Sequence, residues 1–125
     1  MNHSVYIKDV PASSYAASVL LHKVYKQMER KAWNRSRSAF LDYELKKHGV
    51  LTCHYCKRTN LKRRGGKIQE KATVDHILAK SEGGHELAHE NFVVACESCN
   101  RKKASIPQEE FLSSKYLQNK RKGKS

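Results

Sequence analysis

Two cysteine pairs, "CHYC" at 53–56 and "CESC" at 96–99, are the residues best suited to chemistry in this sequence. In a reducing compartment each pair can present two thiolates from one tight turn. Four thiolates close a tetrahedral Zn2+ site with no position left for water. The spacing therefore predicts a structural zinc held by Cys53, Cys56, Cys96 and Cys99, supplying on the order of 10 kcal/mol of apparent folding energy. The alternatives are four buried thiols or a redox CxxC; the redox motif expects a single pair near a βαβ pattern, and this sequence has two pairs and no such pattern. The long segment between the pairs holds the second candidate, "TVDHILAKSEGGH" at 73–85. Adjacent strand residues point to opposite faces, so Asp75 and His76 cannot both sit in one dry core. Taken alone, the dipeptide is better explained by a structural Asp–His hydrogen bond than by catalysis.

The elements that must carry these groups can be read from periodicity. Residues 1–11 form a polar lead ending in Pro11, after which Ser13 or Ser14 can cap a helix. Ala16, Leu20, Val24 and Met28, widened by Leu21, Tyr25 and Ala32, form its apolar stripe, with Lys23, Lys26, Arg30 and Lys31 towards the polar side. After Trp33 and "NRSRS" a second, shorter helix is expected over "AFLDYELKKHG". Phe40, Leu41 and Leu45 should face inward there, and Gly49 should terminate it. From Leu51 to Ser105 helical periodicity gives way to short β-prone runs, "ATVDHIL" and "NFVVA", among glycine-rich and basic loops. Pro107 opens a last helix to about Leu117 through Phe111, Leu112 and Tyr116. The closing "NKRKGKS" reads as a solvated basic tail. The expected architecture is α+β, divided into a helical N-terminal extension (1–50), a zinc-stapled core (51–105) and a C-terminal helix with its tail (106–125).

At 125 residues the chain is long enough for one domain with extensions. Its 25 Lys and Arg oppose 12 Asp and Glu, and the formal charge of +13 predicts a polyanionic partner, with nucleic acid the first candidate. A solubilising surface or an anionic membrane surface is the alternative. No apolar run approaches the ~20 residues of a membrane span. The N-terminus lacks a basic region ahead of a clean apolar one, so a cytoplasmic location is expected.

Read in order, Asp75-His76-Ile77, Ser81 with Gly83-Gly84, Asn91-Phe92, and Cys96 to Cys99 with Asn100 and Lys103 resemble the HNH endonuclease family, a ββα-metal fold. The Cys53/Cys56 knuckle belongs to the same pattern, and the resemblance spans residues 51 to 105. It implies hydrolysis of phosphodiester bonds with a divalent cation. His76 would then be the base that activates water, Asp75 and Asn100 would be cation ligands, and Asn91 would hold the loop and orient the His76 ring. Two protein oxygens suit Mg2+ or Mn2+, which seldom take an all-protein cage. Where the family often has histidine this chain has Asn100, a harder and weaker ligand that argues against tight Zn2+ or Ni2+ there. Ala79 stands where the family's loop often carries proline. His85 and His89 are further candidates for phosphate or leaving-group contact; a solvent-facing loop histidine is the alternative for both and the better account of His89, and His54 is expected to be exposed.

Lys57, Arg58, Lys62, Arg63, Arg64 and Lys67 crowd one loop, and Arg101, Lys102 and Lys103 follow Asn100 directly. Beside a phosphate-cutting site these read as backbone contacts, which position a duplex without reading its sequence. They predict a log-log salt slope of about −0.9 per phosphate neutralised. The resemblance implies double-stranded DNA as substrate, nicked by a monomer or cut on both strands by a dimer. RNA stays open because the backbone chemistry is shared. Homing, restriction and phage-encoded nucleases all fit, the last acting in the host-cell cytoplasm. From a different class, a non-catalytic zinc-stabilised nucleic-acid-binding module is the alternative, but such a module has no need of Asp75, His76 and Asn100 together.

Overall fold

The computed structural model describes residues 15–79 and 82–123. The polar lead, the Ser13 and Ser14 caps and Ser81 lie outside the described residues. The elements run α1 (Tyr15–His48), β1 (Ala72–His76), β2 (Phe92–Cys96), α2 (Glu97–Lys103), α3 (Gln108–Leu112) and α4 (Lys115–Gly123). The chain divides into two compact units, Met1–Asn34 and Arg35–Ser125.

α1 is one helix where the sequence pattern predicted two. Nothing between Trp33 and Ala39 breaks a helix, because "NRSRS" contains neither proline nor glycine. In the first unit the expected stripe is not buried: Leu20, Val24 and Met28 are 42%, 37% and 54% exposed. In the second unit Phe40 and Leu41 are buried as expected. Leu45 is exposed, and Glu44 takes the half-buried position on the inward face. Gly49 ends α1 at φ +82°, donating its N–H to the Leu45 carbonyl at 2.8 Å, a left-handed cap that suits glycine. No helix among the described residues is long and apolar enough to cross a membrane.

β1 and β2 pair antiparallel, with Ala72 opposite Cys96, Val74 opposite Val94 and His76 opposite Phe92. Ala72, Val74, Phe92, Val94 and Ala95 are buried, and Phe92 stands edge-on to Phe40 with ring centroids 5.3 Å apart. The first cysteine knuckle is fastened to this hairpin, since the His54 N–H donates to the Val94 carbonyl at 2.8 Å. β2 runs straight into α2, and Cys96 is both the last residue of the strand and the cap of the helix.

The last helix of the sequence reading is two. Ser113 Oγ turns back to the Glu109 and Glu110 carbonyls, while Ser114 Oγ accepts from the Leu117 N–H at 3.2 Å, so one serine closes α3 and the next caps α4. Phe111 and Leu117 are buried, and Leu112 is exposed. The supposed tail is partly structured as well: residues up to Gly123 belong to α4.

Candidate active site and metal centre

The four cysteine sulfurs converge, all lying within 4.8 Å of one another, and every one of these cysteines is buried and outside any disulfide. Tetrahedral zinc with Zn–S bonds of about 2.3 Å places its sulfurs roughly 3.8 Å apart, and Cys56 Sγ and Cys96 Sγ stand 4.0 Å apart. The residues fit the ion. Both knuckles have the same build: the Cys56 N–H donates to Cys53 Sγ and the Cys99 N–H to Cys96 Sγ, each at 3.4 Å. Among themselves the thiols divide their protons. Hydrogen bonding with Cys53 is the main reason that Cys96 is held down to about 6 and that Cys99 is pushed up. Four thiolates at this spacing need a countercharge to coexist.

Part of that countercharge comes from α4. Lys120 Nζ lies 3.5 Å from both Cys96 Sγ and Cys99 Sγ and 3.2 Å from the Tyr116 hydroxyl. Burial works against the ammonium, but Tyr116 and the two sulfurs outweigh it and raise its pKa. Arg121 Nε donates to the Tyr55 carbonyl inside the first knuckle at 2.8 Å. Neither residue was foreseen from sequence, where both read as tail. Lys120→Met is expected to leave the fold intact and speed zinc transfer to a chromogenic chelator about tenfold, the usual scale for an outer partner of a metal ligand. Unchanged transfer kinetics would show the ammonium to be incidental.

At the other end of the ladder from Cys96, Asp75 and His76 line a cleft of about 310 Å3 with Glu82, Glu86, Lys103 and Pro107. A larger groove of about 670 Å3, beside Phe40, His54, Lys57 and His89, contains neither Asp75 nor His76. His76 turns its ring edge-on to Phe92 at 5.3 Å, and its Nε2 lies 2.8 Å from the Glu86 carbonyl oxygen. A carbonyl only accepts, so Nε2 carries the proton and the basic lone pair belongs to Nδ1. The ring is thus oriented by Glu86. Asn91 shapes the loop that carries Glu86: its Oδ1 accepts from the Leu78 N–H, and its Nδ2 donates to the carbonyls of Leu78 (2.9 Å) and His85 (3.0 Å). Gly84 packs against that same Leu78 carbonyl so closely that any Cβ would collide with it, which explains the glycine.

Asp75 is 9% exposed. Its Oδ2 accepts from the Tyr55 hydroxyl and pairs with Lys103 Nζ at 3.1 Å. Asn100 donates through Nδ2 to Thr73 Oγ1 at 2.9 Å and to the Val74 carbonyl at 3.2 Å. Thr73 and Asp75 share a strand face, and Asn100 and Lys103 share a helix face, so α2 lies across β1 with Asn100 over Thr73 and Lys103 over Asp75. One amide of this set is fixed by its nitrogen, and one carboxylate by a single oxygen. Asn100 is not among the residues that line the cleft with Asp75 and His76. Burial, then the Asp75 hydrogen bond, pushes the Tyr55 phenol up, so it remains a donor.

The basic residues separate into several environments. Lys57, Arg64 and Lys67 are exposed, and Arg58 is half-buried. Lys62 pairs with Glu70 at 3.8 Å. Arg63 binds Asp42 and Ser38 of α1, and Arg101 pairs with Glu97. Lys102 lies over the Tyr116 ring at 5.4 Å. Lys103 is 5% exposed and turned into the cleft. His85 is exposed, its Nδ1 accepting from the Leu87 N–H at 3.2 Å. His89 is exposed with its ring near Phe40 and Phe92, and His54 is half-buried beside Tyr55. Burial, followed by the Lys57 and Arg121 charges, lowers the His54 pKa.

A two-stranded antiparallel hairpin, a helix crossing it and four cysteines clustered as a metal site define an α+β architecture of the ββα-metal kind. Residues 53–105 match the model of the HNH endonuclease family. Comparison with curated proteins and with solved structures yields no match.

Proposed function

We propose that this protein is an endonuclease that hydrolyses DNA phosphodiester bonds with Mg2+ or Mn2+, using His76 as general base. The observation that carries the reading is the His76 ring, held in one tautomer by the Glu86 carbonyl at the mouth of the cleft that also holds Asp75 and Lys103. Nδ1 takes the proton from an attacking water, which a base pointing its only lone pair at a carbonyl could not do. Asp75 and Asn100 would hold the divalent cation, which when bound would supply positive charge to the pentacovalent phosphate and the departing oxygen. Asn91 keeps Glu86 in place and thereby the ring. Lys57, Arg64 and Lys67 contact the phosphate backbone from the neighbouring loop, consistent with the +13 charge. Arg58 adds to the same basic surface, and Lys62, Arg63, Arg101 and Lys102 would exchange their present partners for phosphates. One such site cuts one strand, so the expected product is a nick, unless two copies act together. Zinc at the four cysteines is structural in this scheme.

The Lys103–Asp75 ion pair favours a second reading. An aspartate already paired inside the protein also suits a zinc-stabilised nucleic-acid-binding module without catalysis. Supercoiled plasmid incubated with Mg2+, with Mn2+ and with EDTA decides between them. The nuclease converts plasmid to open circles only with the divalent ion. Salt-sensitive binding of the plasmid without cleavage under either ion would make the binding module the better account, and cleavage of RNA in preference to DNA would correct the substrate.

A further inference from the structure

We propose that Tyr55 is a positioning residue for Asp75, a rigid strut by which the first zinc knuckle sets the carboxylate of the cation site; the inference rests on the nuclease reading above. Tyr55 lies between two zinc ligands, Cys53 and Cys56, and is fully buried. Its carbonyl is gripped by Arg121, and its ring stands edge-on to Phe111 at 5.1 Å. The backbone at this residue therefore has no independent freedom once the knuckle is closed. From that anchor the hydroxyl reaches across to β1 and donates to Asp75 Oδ2. Gln108 Nε2 approaches the same hydroxyl at 3.4 Å and can only donate to its oxygen, which leaves the phenol proton for the carboxylate.

Both partners of Asp75 use the same oxygen. Tyr55 and Lys103 converge on Oδ2, and no hydrogen bond to Oδ1 is formed among the described residues. Two donors on one oxygen fix the rotation of the carboxylate and offer the other oxygen to the cleft. The two donors differ in charge. The phenol is neutral and orients the ligand without opposing a cation, whereas the ammonium orients it and repels one. Removing them should therefore shift cation affinity in opposite directions, which general damage to the fold would not do.

The test is Mn2+ binding to the zinc-loaded full chain, followed by titration, for wild type, Tyr55→Phe and Lys103→Gln, with zinc content and thermal unfolding measured on each. Tyr55→Phe keeps the ring against Phe111 and is expected to retain its zinc while its Mn2+ dissociation constant rises about tenfold, the scale on which partners of metal ligands act. Lys103→Gln is expected to bind Mn2+ more tightly than wild type. Nicking should reach half its maximum at correspondingly higher Mg2+ in Tyr55→Phe. Unchanged Mn2+ affinity in Tyr55→Phe overturns the proposal. So does loss of zinc in that variant, because the phenol would then be holding the knuckle and not the carboxylate. Equal weakening in both variants overturns it as well. A wild type that neither binds Mn2+ nor nicks DNA removes the nuclease reading and this inference with it. A wild type that does both, beside an unaltered Tyr55→Phe, overturns the inference alone.

Discussion

Cys96→Ser is expected to leave the second unit, residues 35–125, largely unfolded at ambient temperature. Four buried thiolates on zinc supply on the order of 10 kcal/mol, and a domain of this size is stable by only about 5–15 kcal/mol in total. Cys96 matters beyond its share of the metal. It ends β2, pairs with Ala72 of β1, and caps α2 by accepting from the Cys99 N–H. A serine oxygen could still cap the helix, but three sulfurs and a hydroxyl form a poor zinc site. Far-ultraviolet circular dichroism with zinc analysis checks this result, and a strong chelator applied to wild type should reproduce it. A Cys96→Ser protein that still unfolds cooperatively and retains a full equivalent of zinc would show that the apolar core alone holds the fold.

His76→Ala should lower the single-turnover nicking rate by about 10^2–10^4-fold, the range that a positioned general base supplies. The fold should tolerate the change. His76 is half-buried at the strand end, and the substitution removes one ring packed against Phe92 and one hydrogen bond to the Glu86 carbonyl. Zinc content and thermal unfolding midpoint measured beside the rate separate lost chemistry from lost structure. A variant within tenfold of wild type, still folded, would take the role of base away from His76. His85, exposed one residue before Glu86, is the histidine to examine next.

The zinc ligands were legible because CxxC is a local pattern whose geometry follows from one turn. The same holds for Gly49, whose left-handed conformation a helix end requires. The strands containing Asp75 and Phe92 were readable from short β-prone runs, although Asn91, the first residue of the second run, lies in the turn before its strand. Non-local contacts were not legible. Nothing in "CHYC" says that its tyrosine meets an aspartate in another element. Nothing in "NKRKGKS" says that one lysine faces sulfur while its neighbour grips a knuckle carbonyl. A cluster of cations reads as solvated until the anionic partner is in view. The single long α1 was missed for a different reason, since a change of composition at Trp33 resembles a boundary although no residue there breaks a helix.

The cap that α4 places over the four cysteines has a consequence for where the family-matched unit can be cut or joined. The family-matched segment ends at residue 105, yet the ammonium facing two of the sulfurs and the guanidinium clasping the first knuckle come from residues 120 and 121. On the other side, Phe40 and Leu41 are buried upstream of the first cysteine. Transplanted alone, residues 53–105 would carry a doubly negative metal centre stripped of its nearest cation, together with an uncovered apolar face. The portable module therefore runs from the second half of α1 through α4, and a fusion joint belongs outside those limits.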